Sequence, residues 1–186
     1  SPAKPPASSS AAKTGGKWVI QLSEEPPTLD LHTSAAAVTA LVWRYLGDPL
    51  IVKNLNGEFA PGLASEWKAS DDGLSWTFTL RSGIKCHDGT PVTAQTVVDT
   101  FKRALDPETK SPIAGSMLGP VESIEATGDL TFVIKHKQPF ALFVENLTDG
   151  GRLSPISPAA AAASGQDFGR QPVGTGPWKF KEWMTG

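Results

Sequence analysis

Cys86-His87-Asp88 sets a thiol, an imidazole and a carboxylate in consecutive positions, the side-chain types of a thiol hydrolase. Neighbouring residues of an extended segment point to opposite faces, so Cys86 and His87 are not expected to pair. Cys86 then reads as a small buried hydrophobe. His32, His87 and His136 lie far apart, with none of the close spacings of zinc sites, and no metal or cofactor is expected. Gly174-Thr175-Gly176-Pro177 invites a phosphate-loop reading. The lysine-plus-hydroxyl ending of such a loop is missing, and proline follows the second glycine. Those glycines are expected to let the backbone turn tightly as the chain re-enters a sheet.

Periodicity places the elements around these residues. Leu74, Trp76, Phe78 and Leu80 alternate with Ser75, Thr77, Thr79 and Arg81, predicting a strand with one buried face. Trp67 and Trp76 are expected to be packing anchors rather than ligand platforms. Asp71-Asp72-Gly73 and Asp88-Gly89 predict turns, Ser82-Gly83 a hairpin, and residues 61–64 a helix-like turn. Residues 18–22 predict a strand, followed by a loop, 23–28, whose paired prolines forbid helix. Val38, Leu41, Val42, Tyr45 and Leu46 recur at helical spacing, with Gly47 as a left-handed cap. Residues 50–53 and 58–59 flank a hairpin loop, 54–57.

Thr93 is placed to cap a helix carrying Val97, Val98, Phe101 and Leu105 on one stripe, closed by Asp106-Pro107. Residues 121–126 and 130–135 predict strands around Gly128-Asp129, and Pro139 a short helix with Phe140, Phe143, Val144 and Leu147 on one side. An irregular stretch at 153–158, a brief helix at 159–163 and a strand starting at Pro177 complete a mixed α/β pattern. It has neither internal repeat nor sustained βαβ alternation.

A net charge of −2 and 19% charged residues provide no basic field for nucleic acid. One cysteine excludes an internal disulfide, and no apolar run reaches the length of a membrane span. Residues 1–16 hold Pro, Ala, Ser and Gly without a large apolar side chain, the composition of a flexible linker. They also lack the apolar core of a signal peptide.

Pro61-Gly-Leu-Ala64, Trp67, the turn 70–73, the strand TFTLR and Lys85 followed by His87-Asp88-Gly89-Thr90-Pro91 together resemble a family signature. The family is that of the extracytoplasmic solute-binding proteins, family 5, which serve peptide and nickel ABC importers. Pro172-Val-Gly-Thr-Gly-Pro177 resembles the family's return into its first lobe, and Leu105-Asp-Pro107 and Pro139-Phe140 fall where the family has such residues. Two departures are Cys86, where the family usually has an aromatic residue, and Thr96, where it often has an acid near the helix start.

The resemblance implies a type II periplasmic-binding-protein fold, with residues 17–47 beginning lobe one, 48–153 an inserted α/β subdomain and 154–186 returning to lobe one. Lobe two would follow Gly186, so the chain is expected to be the N-terminal portion of a longer receptor whose export signal has been removed. The implied function is to bind peptides outside the cytoplasm, possessing no catalytic activity, and to deliver them to the permease of an ABC importer. The receptor would be a monomer, periplasmic or membrane-tethered. A nickel chelate or another small solute is the alternative ligand, and a Cys86 hydrolase the alternative class. The residues expected at the ligand are Glu24, Glu25, Pro26, Pro27 and Thr28, where a carboxylate would meet a peptide amino terminus, and Ser111, Pro112 and Ile113.

Overall fold

The computed structural model describes residues 15–184. Most of the linker expected at 1–16 therefore lies outside the described residues. Helix α1 (Ala37–Leu46) leads into a small antiparallel pair, β1 (Ile51–Lys53) and β2 (Phe59–Pro61). An antiparallel sheet follows, ordered β3-β4-β6-β5, from β3 (Ala64–Ala69), β4 (Ser75–Leu80), β5 (Val121–Ala126) and β6 (Thr131–His136). Between β4 and β5 run α2 (Ala94–Leu105) and the short α3 (Ala114–Leu118). After β6 come α4 (Phe143–Asn146), α5 (Gly150–Leu153) and α6 (Pro158–Ser164), then a 3-10 segment, Gly165–Arg170.

Alternation on β4 builds the larger core. Phe78 faces Phe132 across the β4–β6 ladder, and their rings stack with centroids 4.9 Å apart. Val97, Val98 and Phe101 of α2 and Phe143 of α4 join the same buried cluster. Trp67 and Trp76 pack against it, as expected of anchors. A second cluster gathers Leu31, Trp43 and Leu46 with Ile156, Ala161 and Phe168, so that residues far apart in the chain share one core.

Thr93 caps α2 and forms a capping box with Thr96: each hydroxyl accepts from the other residue's amide, at 3.3 and 3.2 Å. Thr96 therefore replaces an acid's dipole interaction with a hydrogen bond to an otherwise orphaned donor.

Several local expectations are corrected. Residues 18–22 and 177–180 form no strand, and residues 61–64 end β2 and start β3 instead of making a helical turn. A strand needs a ladder partner, and none of the described residues pairs with 18–22. The hairpin at Ser82-Gly83 is missing because both edges of β4 are already occupied, by β3 and β6. Residues after it close their own Lys85–Pro91 bridge over the Asp88-Gly89 turn. Gly47 is extended, with φ −135° and ψ 146°. Its small size is what matters, since a Cβ there would crowd Ser154. The short helix begins at Phe143 rather than at Pro139.

Candidate functional site

Loop 23–28 is mostly exposed, and residues 29–32 that follow it are buried. Glu25 accepts a 2.8 Å hydrogen bond from Trp183 Nε1, and the Arg170 guanidinium lies 4.6 Å from the centre of that indole. Trp183 also lines a cleft of about 680 Å³ with His87, Asp88, Arg170 and Lys179. Thr28 faces inwards: its hydroxyl accepts from the Asp30 amide at 3.1 Å, and its carbonyl accepts from Thr39 Oγ1 at 2.8 Å.

Ser111, Pro112 and Ile113 form the approach to α3. Ser111 Oγ accepts from the Ala114 amide at 3.1 Å, and Pro112 is exposed. No hydrogen bond among the described residues joins them directly to loop 23–28.

What the structure brings together is a polar clasp that sequence reasoning missed. Asp30 is only 2% exposed, and Arg103 of α2 holds both its carboxylate oxygens, at 3.0 and 2.5 Å. Arg103 Nη1 also donates to His32 Nδ1 at 2.7 Å. Arginine has only donors, so Nδ1 must accept and the His32 proton resides on Nε2. Burial, together with the adjacent guanidinium, drives the His32 imidazole down to about 3, against an upward pull from Asp30. The signal in the sequence is Thr96, Thr100 and Arg103 at helical spacing, a polar stripe beside the apolar one, with both threonines buried.

This clasp carries a pH dependence. His32 would bind its proton near 6.5 in the unfolded chain but only near about 3 when folded. The unfolded chain holds more protons between those values, so stability is lost as pH falls through that window. His32→Asn keeps an acceptor for Arg103 and is expected to flatten the decline in urea-unfolding free energy between pH 6.5 and 5. An unchanged slope would contradict this.

Cys86 is 4% exposed, and burial, then the Asp88 charge, pushes its thiol up to about 12. Its neighbour His87 turns away, with Nε2 2.8 Å from the Gly176 carbonyl. A thiol that stays protonated makes a poor nucleophile. Iodoacetamide at pH 8 is expected to leave Cys86 unmodified in the folded protein and to alkylate it in urea, as mass spectrometry would show.

The return motif is a stitch between distant segments. The Gly174 carbonyl accepts from the His87 amide and the Gly176 carbonyl lies 2.8 Å from its imidazole Nε2, while Gly176 N–H donates to Leu46 O at 2.9 Å. Thr175 Oγ1 accepts from the Asp48 amide at 3.1 Å. The glycines thus serve close backbone approach, since a Cβ at either would meet the Leu46 backbone.

Comparison with known proteins places these strands and the return motif in a family of solute-binding proteins. Residues 58–186 match the bacterial extracellular solute-binding proteins, family 5 Middle, and the chain belongs to that family. Glutathione-binding protein GsiB of Escherichia coli O1:K1 / APEC is 38% identical over 174 residues, covering 94% of this chain and 34% of that protein. The periplasmic murein peptide-binding protein MppA of Escherichia coli K12 is 33% identical over 182 residues, covering 88% and 33%. Among solved structures, Haemophilus influenzae OppA in complex with RPPGFSPFR superposes with a TM-score of 0.77 at 29% identity, covering 86% of this chain and 34% of that one. The chain spans about one third of the length of these curated relatives. The family is one of binding proteins and its relatives are periplasmic, and no described helix is long and apolar enough to cross a membrane.

Proposed function

We propose that this chain supplies the first-lobe and inserted-subdomain portion of an extracytoplasmic receptor that binds peptides and passes them to an ABC permease. The carrying observation is the family match over residues 58–186, joined to a fold shared with a relative solved in complex with RPPGFSPFR. The division into 17–47, 48–153 and 154–186 is supported by the two cores, one drawn from between Leu50 and Leu153, the other from both flanks.

In this reading the Glu24–Thr28 loop faces the ligand, and a carboxylate of Glu24 or Glu25 receives the peptide's amino terminus. Ser111, Pro112 and Ile113 border the cleft. The receptor acts as a monomer, tethered or loose outside the cytoplasm, and catalyses nothing. A single lobe covers only one side of an extended ligand, so tight binding requires an opposing lobe that closes about a hinge.

The test is calorimetric titration of the full-length protein with tri-alanine and with its N-acetylated form. Acetylation is expected to weaken binding about tenfold, the loss of one hydrogen bond to a charged group. The Glu24→Gln/Glu25→Gln double variant is expected to lose that discrimination. Equal affinity for the two peptides in the wild type would refute the amino-terminus assignment, and no binding of either would refute the peptide reading.

A further inference from the structure

We infer that Arg103 is a positioning residue for the ligand loop: helix α2 sets the place of residues 24–28 by way of Asp30. What the loop binds rests on the proposed function; that Arg103 holds the loop does not.

The contacts run in one line. Arg103 grips both Asp30 oxygens and His32 Nδ1; the Asp30 amide is tied to Thr28 Oγ1, and Thr28 ends the loop. From α1, Trp43 Nε1 donates to the Leu29 carbonyl at 2.6 Å and Thr39 holds the Thr28 carbonyl. From the 3-10 segment, the Gly169 carbonyl accepts from the Leu29 amide at 3.2 Å. Residues 28–32 are therefore held from three sides. Arg103 is the only one of these anchors that comes from the 48–153 segment, so it registers that segment against the loop.

Its own geometry is fixed. The guanidinium carbon lies 5.3 Å from the centre of the buried Phe168 ring, and the side chain forms one wall of a cleft between α2 and α6. A planar fork on two carboxylate oxygens sets orientation as well as distance. Buried ion pairs gain little over apolar packing of the same volume, and their best-attested service is to select one register. Here the register selected is that of the backbone leading out of the loop.

The experiment compares full-length wild type, Arg103→Lys and Arg103→Met by hydrogen exchange and by titration with tri-alanine, both well below the melting transition. Lysine keeps the charge but cannot span both oxygens and the imidazole. In both variants the Leu29, Asp30 and His32 amides are expected to exchange at least about tenfold faster while β4 and β6 stay protected, and affinity is expected to fall about tenfold. A purely structural role would speed exchange throughout or nowhere, leaving affinity per folded molecule unchanged. Should Arg103→Met fail to fold, Arg103→Lys decides alone. Unaltered exchange at residues 29–32, or unaltered affinity alongside faster exchange, overturns the proposal. If wild type fails to bind tri-alanine, the peptide reading falls, while exchange still decides whether Arg103 holds the loop.

Discussion

Trp43→Ala is expected to destabilise the fold by about 3–5 kcal/mol, the range for removing a large buried aromatic side chain. Trp43 is completely buried at the centre of the second core, stacked on Phe168 with ring centroids 6.5 Å apart. Alanine would empty that space and orphan the buried Leu29 carbonyl that the indole N–H now satisfies. Trp43→Phe keeps one aromatic ring but loses the donor and part of the indole volume, a smaller loss than alanine's at about 1–3 kcal/mol. Urea unfolding followed by circular dichroism measures both. A loss below about 1 kcal/mol for alanine would mean that the second core is not the clamp between the chain's two flanks.

Gly174→Ala ranks second. A Cβ at this position would drive into the Leu46 carbonyl oxygen and also meet the Trp43 ring. The obstacle is backbone, which cannot rotate aside, so the return segment must lift away from the end of α1. Its hydrogen bonds to Leu46, Asp48 and His87 would lengthen with it. Overpacking of this kind costs about 1–3 kcal/mol, and a backbone obstacle places it at the upper end. Gly57→Ala is the control for glycine replacement itself, because its Cβ would meet nothing, although its φ of 82° adds backbone strain. Thermal melting of the two variants separates steric crowding from conformational cost, and a Gly174→Ala protein no less stable than Gly57→Ala would refute the stitch.

Local signals accounted for much of the architecture. The alternation along β4, the Thr93 cap and the apolar stripe of α2 each depend on side chains within a few residues of one another, and each formed where its pattern placed it. The misplaced strands at 18–22 and 177–180 failed for the opposite reason. Extended conformation is cheap, but a strand exists only where a partner offers a ladder, and partner choice is not written in one segment. The Ser82-Gly83 hairpin failed likewise, because β6, some fifty residues on, occupied the edge it required.

The candidate site divides in the same way. Loop 23–28 was legible because two prolines dictate an extended, helix-free backbone. Its anchorage was not. Asp30 and Arg103 are 73 residues apart, and their meeting depends on α2 packing against the second core. The sequence by itself determined the elements whose forces act over short separations: periodic burial, caps, turns and the family signature they compose. Only the tertiary structure decided which distant polar groups share a dry interior, where an unpaired carboxylate is costly and a two-pronged partner must therefore be found.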